Sequence, residues 1–341
     1  MNLFLTKKNI AILYNNFKSF ILFFKDYLAC SLDDNYTSRQ TSYLLMRRAY
    51  SLSRGKSQQV LSYLPRICNT SSSCISATTR CITESIKNQG FHKIINQSGQ
   101  VKYFCERLVC DLSQYPIFAQ STGSQYSTIN KALLDPSMTS ARISYRRKDV
   151  ASSIYTFNLI SSLQMVDIAT SYLGCDPLLT SIESWYVVPA RGENLSSIYD
   201  SAAQTYHYDL DWIKFVKFFV NLTDVDESYG PFEFIRNSHK LRNIDYYKDS
   251  RFETLLDKSD LITATGPTGS MFIADTSGIH RDGRATSSFR QVLLVEFAIS
   301  SFGAKFANNS DYRECSQTVP WENLPALMTS RSRLLRLFRG A

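Results

Sequence analysis

A cadence of short β-prone runs between residues 182 and 297 limits the fold more than anything else in the chain. Ile182 to Val188, Trp212 to Leu222, Pro231 to Ile235, Gly269 to Ala274 and Phe289 to Phe297 are rich in branched and aromatic side chains. Such residues suit a half-buried pleated surface. Turn chemistry separates them: Pro189 closes the first run, and Asp224 to Gly230 lies between the second and third. Strands this short, repeated this often, close into a barrel or pack as a sandwich. The 20 Tyr and 21 Phe among 341 residues weight the chain the same way.

Helical patterns flank this β region. Ile10, Leu13, Phe17, Phe20, Ile21, Phe24, Tyr27 and Leu28 recur at steps of three and four, which predicts an amphipathic helix within residues 1–30. Residues 31–78 are polar and rich in Ser, Thr and Arg, with Pro65 and Ser71-Ser72-Ser73 as breaks. They read as a loose helical extension rather than a domain. Cys81 to Lys87 predicts a short helix, followed by Gly90 and a β-prone run, Phe91 to Ile95. Ser113 to Leu134 reads as loop. Val150 to Leu173 predicts one longer helix, with Gly174 at its C-cap and Pro177 just beyond. Residues 190–204 read as a polar loop and 240–260 as an irregular charged excursion. From Trp321 the chain reads as a basic helical tail. The expected organisation is a helical extension over 1–78, a β core with flanking helices over 79–305, and a basic tail over 306–341.

The net charge of +8 gathers towards the ends, at Lys7, Lys8, Lys18 and Lys25 and at Arg331, Arg333, Arg336 and Arg339. Such a balance suits nucleic acid, an anionic membrane surface or an acidic carrier, but two solvated helix faces account for it more simply. Bulky aromatics beside Lys in residues 1–30 also suit peripheral contact with a membrane surface. The eight Cys form neither a Cys-x-x-Cys pair nor a regular framework, which suits free thiols in a reducing compartment. Phe20 to Phe24 is too short for a secretory signal, and no apolar run approaches the roughly 18 residues that span a bilayer. The expectation is a cytoplasmic protein.

Chemistry concentrates in Gln204-Thr205-Tyr206-His207-Tyr208-Asp209. In extended backbone, residues i and i+2 share a face, so His207 and Asp209 can aim one imidazole and one carboxylate at a single point. The chain has only four His: His92, His207, His239 and His280. His280 follows a strand-like run and the turn Asp275-Thr276-Ser277-Gly278. Two His and one carboxylate with open positions is the facial arrangement of non-haem Fe(II) sites. Arg290 stands inside the apolar run Phe289 to Val295, where an unpaired charge is costly. Its fork suits a carboxylate, either a local one such as Glu296 or that of a bound cosubstrate.

His207-Tyr208-Asp209, His280 and Arg290, in this order, resemble the phytanoyl-CoA dioxygenase family. Asn221 to Phe234 resembles that family's strand, acidic turn and Gly-Pro strand entry, and Gly90-Phe91 its glycine-aromatic opening. Arg236-Asn237-Ser238-His239-Lys240 falls where the family has a Pro-Gly-Ser-His-Lys-like loop, whose His is not a ligand. The resemblance spans about residues 80–300. It implies an α+β fold, mainly β, with a double-stranded β-helix (jelly-roll, cupin-like) core, flanking helices and the helical N-terminal extension. It also implies Fe(II) held by His207, Asp209 and His280, with 2-oxoglutarate as cosubstrate, Arg290 on its distal carboxylate, and O2. The implied reaction is hydroxylation of a small-molecule, lipid or carrier-bound substrate, with release of succinate and CO2. Phe219, Lys217 and Asn221 share one face of the Trp212–Leu222 run and are further candidates for the cosubstrate pocket. Tyr206 and Tyr208, beside the ligands, are candidates for substrate contact, and no catalytic group beyond the metal ligands is implied.

The sequence departs from the pattern in lacking a Ser two residues after Arg290, and in Gly269-Ser270 where Gly-Asp is commoner. Asp209 fills the place that related halogenases leave open for halide, which favours hydroxylation. Two other readings remain at this point. Arg284 and Arg290 reproduce an Arg-x5-Arg spacing of nucleic-acid demethylases in the same superfamily, although the gap from His280 is short. The third is a non-catalytic β-helix domain associated with a membrane or partner.

Overall fold

The computed structural model describes residues 76–95, 98–174, 177–209, 214–240 and 258–298. The extension over 1–75, Trp212, most of the 240–260 excursion and everything from 299, including the basic tail, lie outside them. So does the helix expected within residues 1–30.

Helix α1 (Ala77–Gln89) begins where the Ser76 hydroxyl accepts from the Thr79 N–H at 3.0 Å, and buries Thr79, Ile82, Thr83 and Ile86 on one face. It stops at Gly90, whose φ of 81° is left-handed. A Cβ there would lie 2.5 Å from the His239 ring and 2.7 Å from Phe234, so only glycine lets the chain turn tightly into β1 (Phe91–Ile94). The sequence between β1 and Leu134, part of it expected as loop, forms α2 (Gly99–Leu112), β2 (Ile117–Ala119), β3 (Gln125–Tyr126) and α3 (Ile129–Leu134). Strand β4 (Arg142–Tyr145) follows.

The single helix expected over 150–173 is three: α4 (Arg147–Ser152), α5 (Ile154–Ser162) and α6 (Met165–Leu173). Ser153 is extended at ψ 125° and caps α5 through its hydroxyl, which accepts from the Tyr155 N–H. Gln164 turns left-handed at φ 53°. The apolar periodicity runs through both breaks, so it conceals them. Gly174 closes α6 in the left-handed region at φ 75°, the conformation its position predicts.

Strand β5 (Leu178–Val187) leads to α7 (Leu195–Ser201), inside the span expected as loop and capped by Asn194, whose side-chain oxygen accepts from the Ser197 N–H. Then come β6 (Phe215–Asn221), β7 (Phe232–Ile235), β8 (Leu261–Ala264), β9 (Met271–Ala274), β10 (His280–Asp282) and β11 (Arg290–Ala298). One sheet has the order β1-β9-β6-β11-β5-β4-β2-β3 and the other β10-β7-β8, and every pairing is antiparallel. The two sheets share one core, which takes Phe91, Trp185, Val187, Phe219, Phe272, Val292 and Leu294 from the larger and Phe232, Phe234 and Ala264 from the smaller. The chain is therefore α+β, a double-stranded β-helix with helices at its flanks. Of the helices, α6 packs on β6 and α4 on β5.

Alternation then assigns the interior. Val292 and Leu294 face inward on β11, so Arg290 and Glu296 do too. Phe219 faces inward on β6, and with it Lys217 and Asn221. Phe219, Phe232 and Phe272 form a three-ring cluster with centroids 4.8 to 5.0 Å apart. Burying each such ring contributes about 1.5–3 kcal/mol, with about 0.5–1.5 kcal/mol more per ring pair. On β6 the cluster residue Phe219 stands between the inward-facing polar residues Lys217 and Asn221.

Candidate metal centre

His207 lies outside the named strands but is tied to β10 by an isolated bridge to His280. Two residues on, the Asp209 N–H donates to the Thr276 carbonyl at 2.7 Å. These backbone bonds bring the His-x-Asp segment to the start of β10. One ligand atom from each of His207, Asp209 and His280 lies within 4.8 Å of the others. His207 Nε2 is 3.9 Å from Asp209 Oδ1, and His280 Nε2 is 3.4 Å from Asp209 Oδ2.

The ring orientations follow from what the Nδ1 atoms touch. His207 Nδ1 lies 2.8 Å from the Thr205 carbonyl and His280 Nδ1 lies 2.9 Å from the Gly278 carbonyl. A carbonyl only accepts, so each Nδ1 carries a proton, and Nε2 is the nitrogen that each ring turns towards Asp209 and would offer to a metal. Phe232 stacks on the His280 ring at 5.4 Å and fixes its plane. Burial works to raise the Asp209 pKa, but the Lys217 ammonium, with His280 and His207, outweighs it and holds the carboxyl well below the usual range. The triad is two imidazole lone pairs and one carboxylate, a donor set suited to a first-row divalent metal.

Lys217, expected in the cosubstrate pocket, reaches the metal end: its Nζ is 2.7 Å from Asp209 Oδ2 and 3.3 Å from Glu296 Oε2. Thr180 in turn donates to Glu296 Oε1 at 2.7 Å. Glu296 is thus the partner of Lys217, not of Arg290. Arg290 is fully buried, donating through Nε to the Gly230 carbonyl at 2.6 Å and through Nη2 to Asp282. Its Nη1 has no hydrogen-bond partner. Asn221 Oδ1, at the end of β6, and Ser270 Oγ, just before β9, are likewise buried without partners, and the Asn221 N–H donates to the Ser270 carbonyl at 2.9 Å. Buried polar groups are rarely left unpaired, so three together mark a place shaped for a polar ligand.

Phe219 belongs to the three-ring cluster. Tyr206 lies on the outer face of the smaller sheet, where its hydroxyl donates to Glu233 and Arg281 stacks over its ring at 4.2 Å. Tyr208 is fully buried. Neither tyrosine presents an exposed surface at the triad in this conformation, because alternation turns them away from His207 and Asp209. His239 lies apart from the triad, with its Nε2 3.1 Å from the Lys87 carbonyl. Sequence reading missed Asp282, although it stands two residues from His280 as Asp209 does from His207.

No protein-family model matches the chain, and no curated protein does. Solved structures do. The epimerase SnoN, crystallised with Fe3+, alpha ketoglutarate and nogalamycin RO, is 13% identical with a TM-score of 0.45, over 65% of this chain and 83% of its own. EctD from S. alaskensis with 2-oxoglutarate and 5-hydroxyectoine is 15% identical with a TM-score of 0.44, over 69% and 86%. AviO1 from Streptomyces viridochromogenes is 13% identical with a TM-score of 0.43, over 67% and 98%. At such identity the functional reading rests on the residues of this chain. Among the described residues, no helix is long and apolar enough to cross a membrane.

Proposed function

We propose that this chain is an Fe(II)- and 2-oxoglutarate-dependent oxygenase, hydroxylating a small-molecule, lipid or carrier-bound substrate. What carries the reading is the pairing, inside one β-helix, of a His207–Asp209–His280 donor set with a buried Arg290 whose Nη1 lacks a partner. The residues fit both groups: neutral imidazoles and a carboxylate for the metal, and a guanidinium nitrogen with the polar atoms of Asn221 and Ser270 for the far end of the oxo acid.

Bound there, iron and 2-oxoglutarate supply the oxidising chemistry, in which O2 is consumed, the oxo acid leaves as succinate and CO2, and a substrate C–H bond is oxidised. The chain's own contribution is placement. The Thr205 and Gly278 carbonyls hold the two imidazoles in their donor tautomers, and Lys217 fixes one oxygen of Asp209. Arg290 orients the cosubstrate by its far carboxylate, a charge-assisted hydrogen bond of about 1.5–3 kcal/mol. The Phe219, Phe232 and Phe272 rings exclude water from the space between.

The test is succinate release by aerobic, Fe(II)-loaded protein supplied with 2-oxoglutarate, which proceeds slowly even without substrate. His207→Ala and Asp209→Ala abolish it if the reading holds, and undiminished release in both variants rules it out. A screen of metabolite pools for a 2-oxoglutarate-dependent gain of one oxygen then identifies the substrate.

A further inference from the structure

The Arg290 end of the interior is not a bare guanidinium. Asp282, 5% exposed, accepts from Arg290 Nη2 on one oxygen and from Trp185 Nε1 on the other, the latter at 3.1 Å. Arg142 lies over the Trp185 ring, 3.8 Å from its centroid, and pairs with Glu183 at 3.3 Å. Asp282 is therefore gripped on both sides and cannot swing aside without leaving two buried donors unpaired.

This has a consequence for anything that approaches Arg290. A free guanidinium offers a carboxylate two parallel donors from a planar fork. Here the Nε N–H is spent on Gly230 and one Nη2 N–H on Asp282, and Nη1 is the one nitrogen without a partner. An incoming carboxylate meets it beside a fixed negative charge, which repels it across a water-poor interior.

We propose that Asp282 is a selectivity-determining residue of the 2-oxo acid pocket. By taking an Nη2 N–H of Arg290 and offsetting the guanidinium charge, it weakens the hold of Arg290 on the cosubstrate's far carboxylate. It thereby weakens the preference for a dicarboxylate over a monocarboxylate 2-oxo acid. The proposal rests on the reading of the site as a 2-oxoglutarate pocket and adds the residue that sets its discrimination.

The test compares two ligands by calorimetry on anaerobic, Co(II)-loaded, full-length protein: 2-oxoglutarate, and 2-oxopentanoate, which has a methyl group in place of the far carboxylate. Specificity is the ratio of their affinities. Asp282→Asn keeps the size and an oxygen for Trp185 but removes the charge, and Asp282→Ser is a second neutral variant should the first fold poorly. The expected result is a wild-type preference for 2-oxoglutarate of less than about tenfold, rising by at least about tenfold in the neutral variant, with 2-oxopentanoate binding unchanged within about twofold. Arg290→Met removes the preference in either background. A preference that stays constant or falls when Asp282 is neutralised overturns the proposal. Failure of the wild type to bind either oxo acid overturns the 2-oxoglutarate reading beneath it.

Discussion

His207 and His280 exchange backbone hydrogen bonds in both directions, His207 N–H to His280 carbonyl at 2.9 Å and the reverse at 2.8 Å. Two candidate ligands far apart in sequence are thereby held to each other by the main chain, independently of their side chains. Their rings lie 4.4 Å apart between centroids. A metal at this place does not have to gather its ligands from mobile loops, and preorganisation of that kind favours binding.

Removing a ligand side chain therefore acts on the metal rather than on the fold. His207→Ala and His280→Ala are expected to weaken Fe(II) binding by at least about tenfold while urea denaturation midpoints of the metal-free protein move little, since the backbone pair survives. Anaerobic metal titration and denaturation of the same preparations check both parts.

Lys217 has the opposite character. It separates two buried carboxylates, Asp209 and Glu296. Lys217→Met leaves them facing each other uncompensated, which costs on the order of 3–5 kcal/mol for a broken buried pair. A divalent cation on Asp209 replaces part of the lost charge, so thermal unfolding should show the variant recovering more stability on Mn(II) addition than the wild type does.

Gly230 is a backbone requirement of the Arg290 pocket. Its φ is +69°, and a Cβ there would sit 2.6 Å from the Gly283 carbonyl oxygen and 2.7 Å from the Ala285 nitrogen. Neither is a side chain that can turn away. Gly230→Ala is expected to destabilise the fold by about 1–3 kcal/mol. Because the Gly230 carbonyl accepts from Arg290 Nε, it should also weaken 2-oxoglutarate binding at temperatures where the variant remains folded.

Cys105, fully buried on α2, has its thiol pushed up to about 12 by burial first and by the Glu106 carboxylate second. The unfolded thiol titrates near 8.5, so the folded state binds the extra proton between those values. Stability from this group is complete below about pH 8.5 and declines as pH rises towards 12. Native protein at pH 8 should leave Cys105 unmodified by iodoacetamide while exposed Cys81 and Cys110 remain accessible to it, as peptide mapping would report.

Strands β5, β6, β7, β9 and β11 are legible in the sequence as short β-prone runs, whereas β10, which carries His280 and Asp282, is three polar residues with no apolar run to mark it. Alternation along β6 places Lys217, Phe219 and Asn221 on one face by spacing alone. Strands β4 and β8 escape such reading because Arg142-Ile143-Ser144-Tyr145 and Leu261-Ile262-Thr263-Ala264 are too short to show a pattern, and pairing completes them: β4 sits between β2 and β5, and β8 takes its place at the edge of the smaller sheet against β7. The breaks at Ser153 and Gln164 escape it because each is one residue's backbone angle inside a continuous apolar periodicity. The ion pairs are the least legible part. Arg290 with Asp282 and Lys217 with Glu296 are set by which strand ends meet across the interior, and charge alone does not distinguish Glu296 from Asp282 as the partner of Arg290.

Strand β11 holds both ends of the pocket on one continuous stretch of backbone, with Arg290 at one end and Glu296 towards the other, each directed inward. It works as a ruler with a fixed reading frame. Inserting one residue between them would reverse the facing of everything on one side of the insertion, expelling either the anchor or the partner of Lys217. Lengthening this pocket by one residue without a compensating bulge is closed to the protein, and changes by two keep both ends in use.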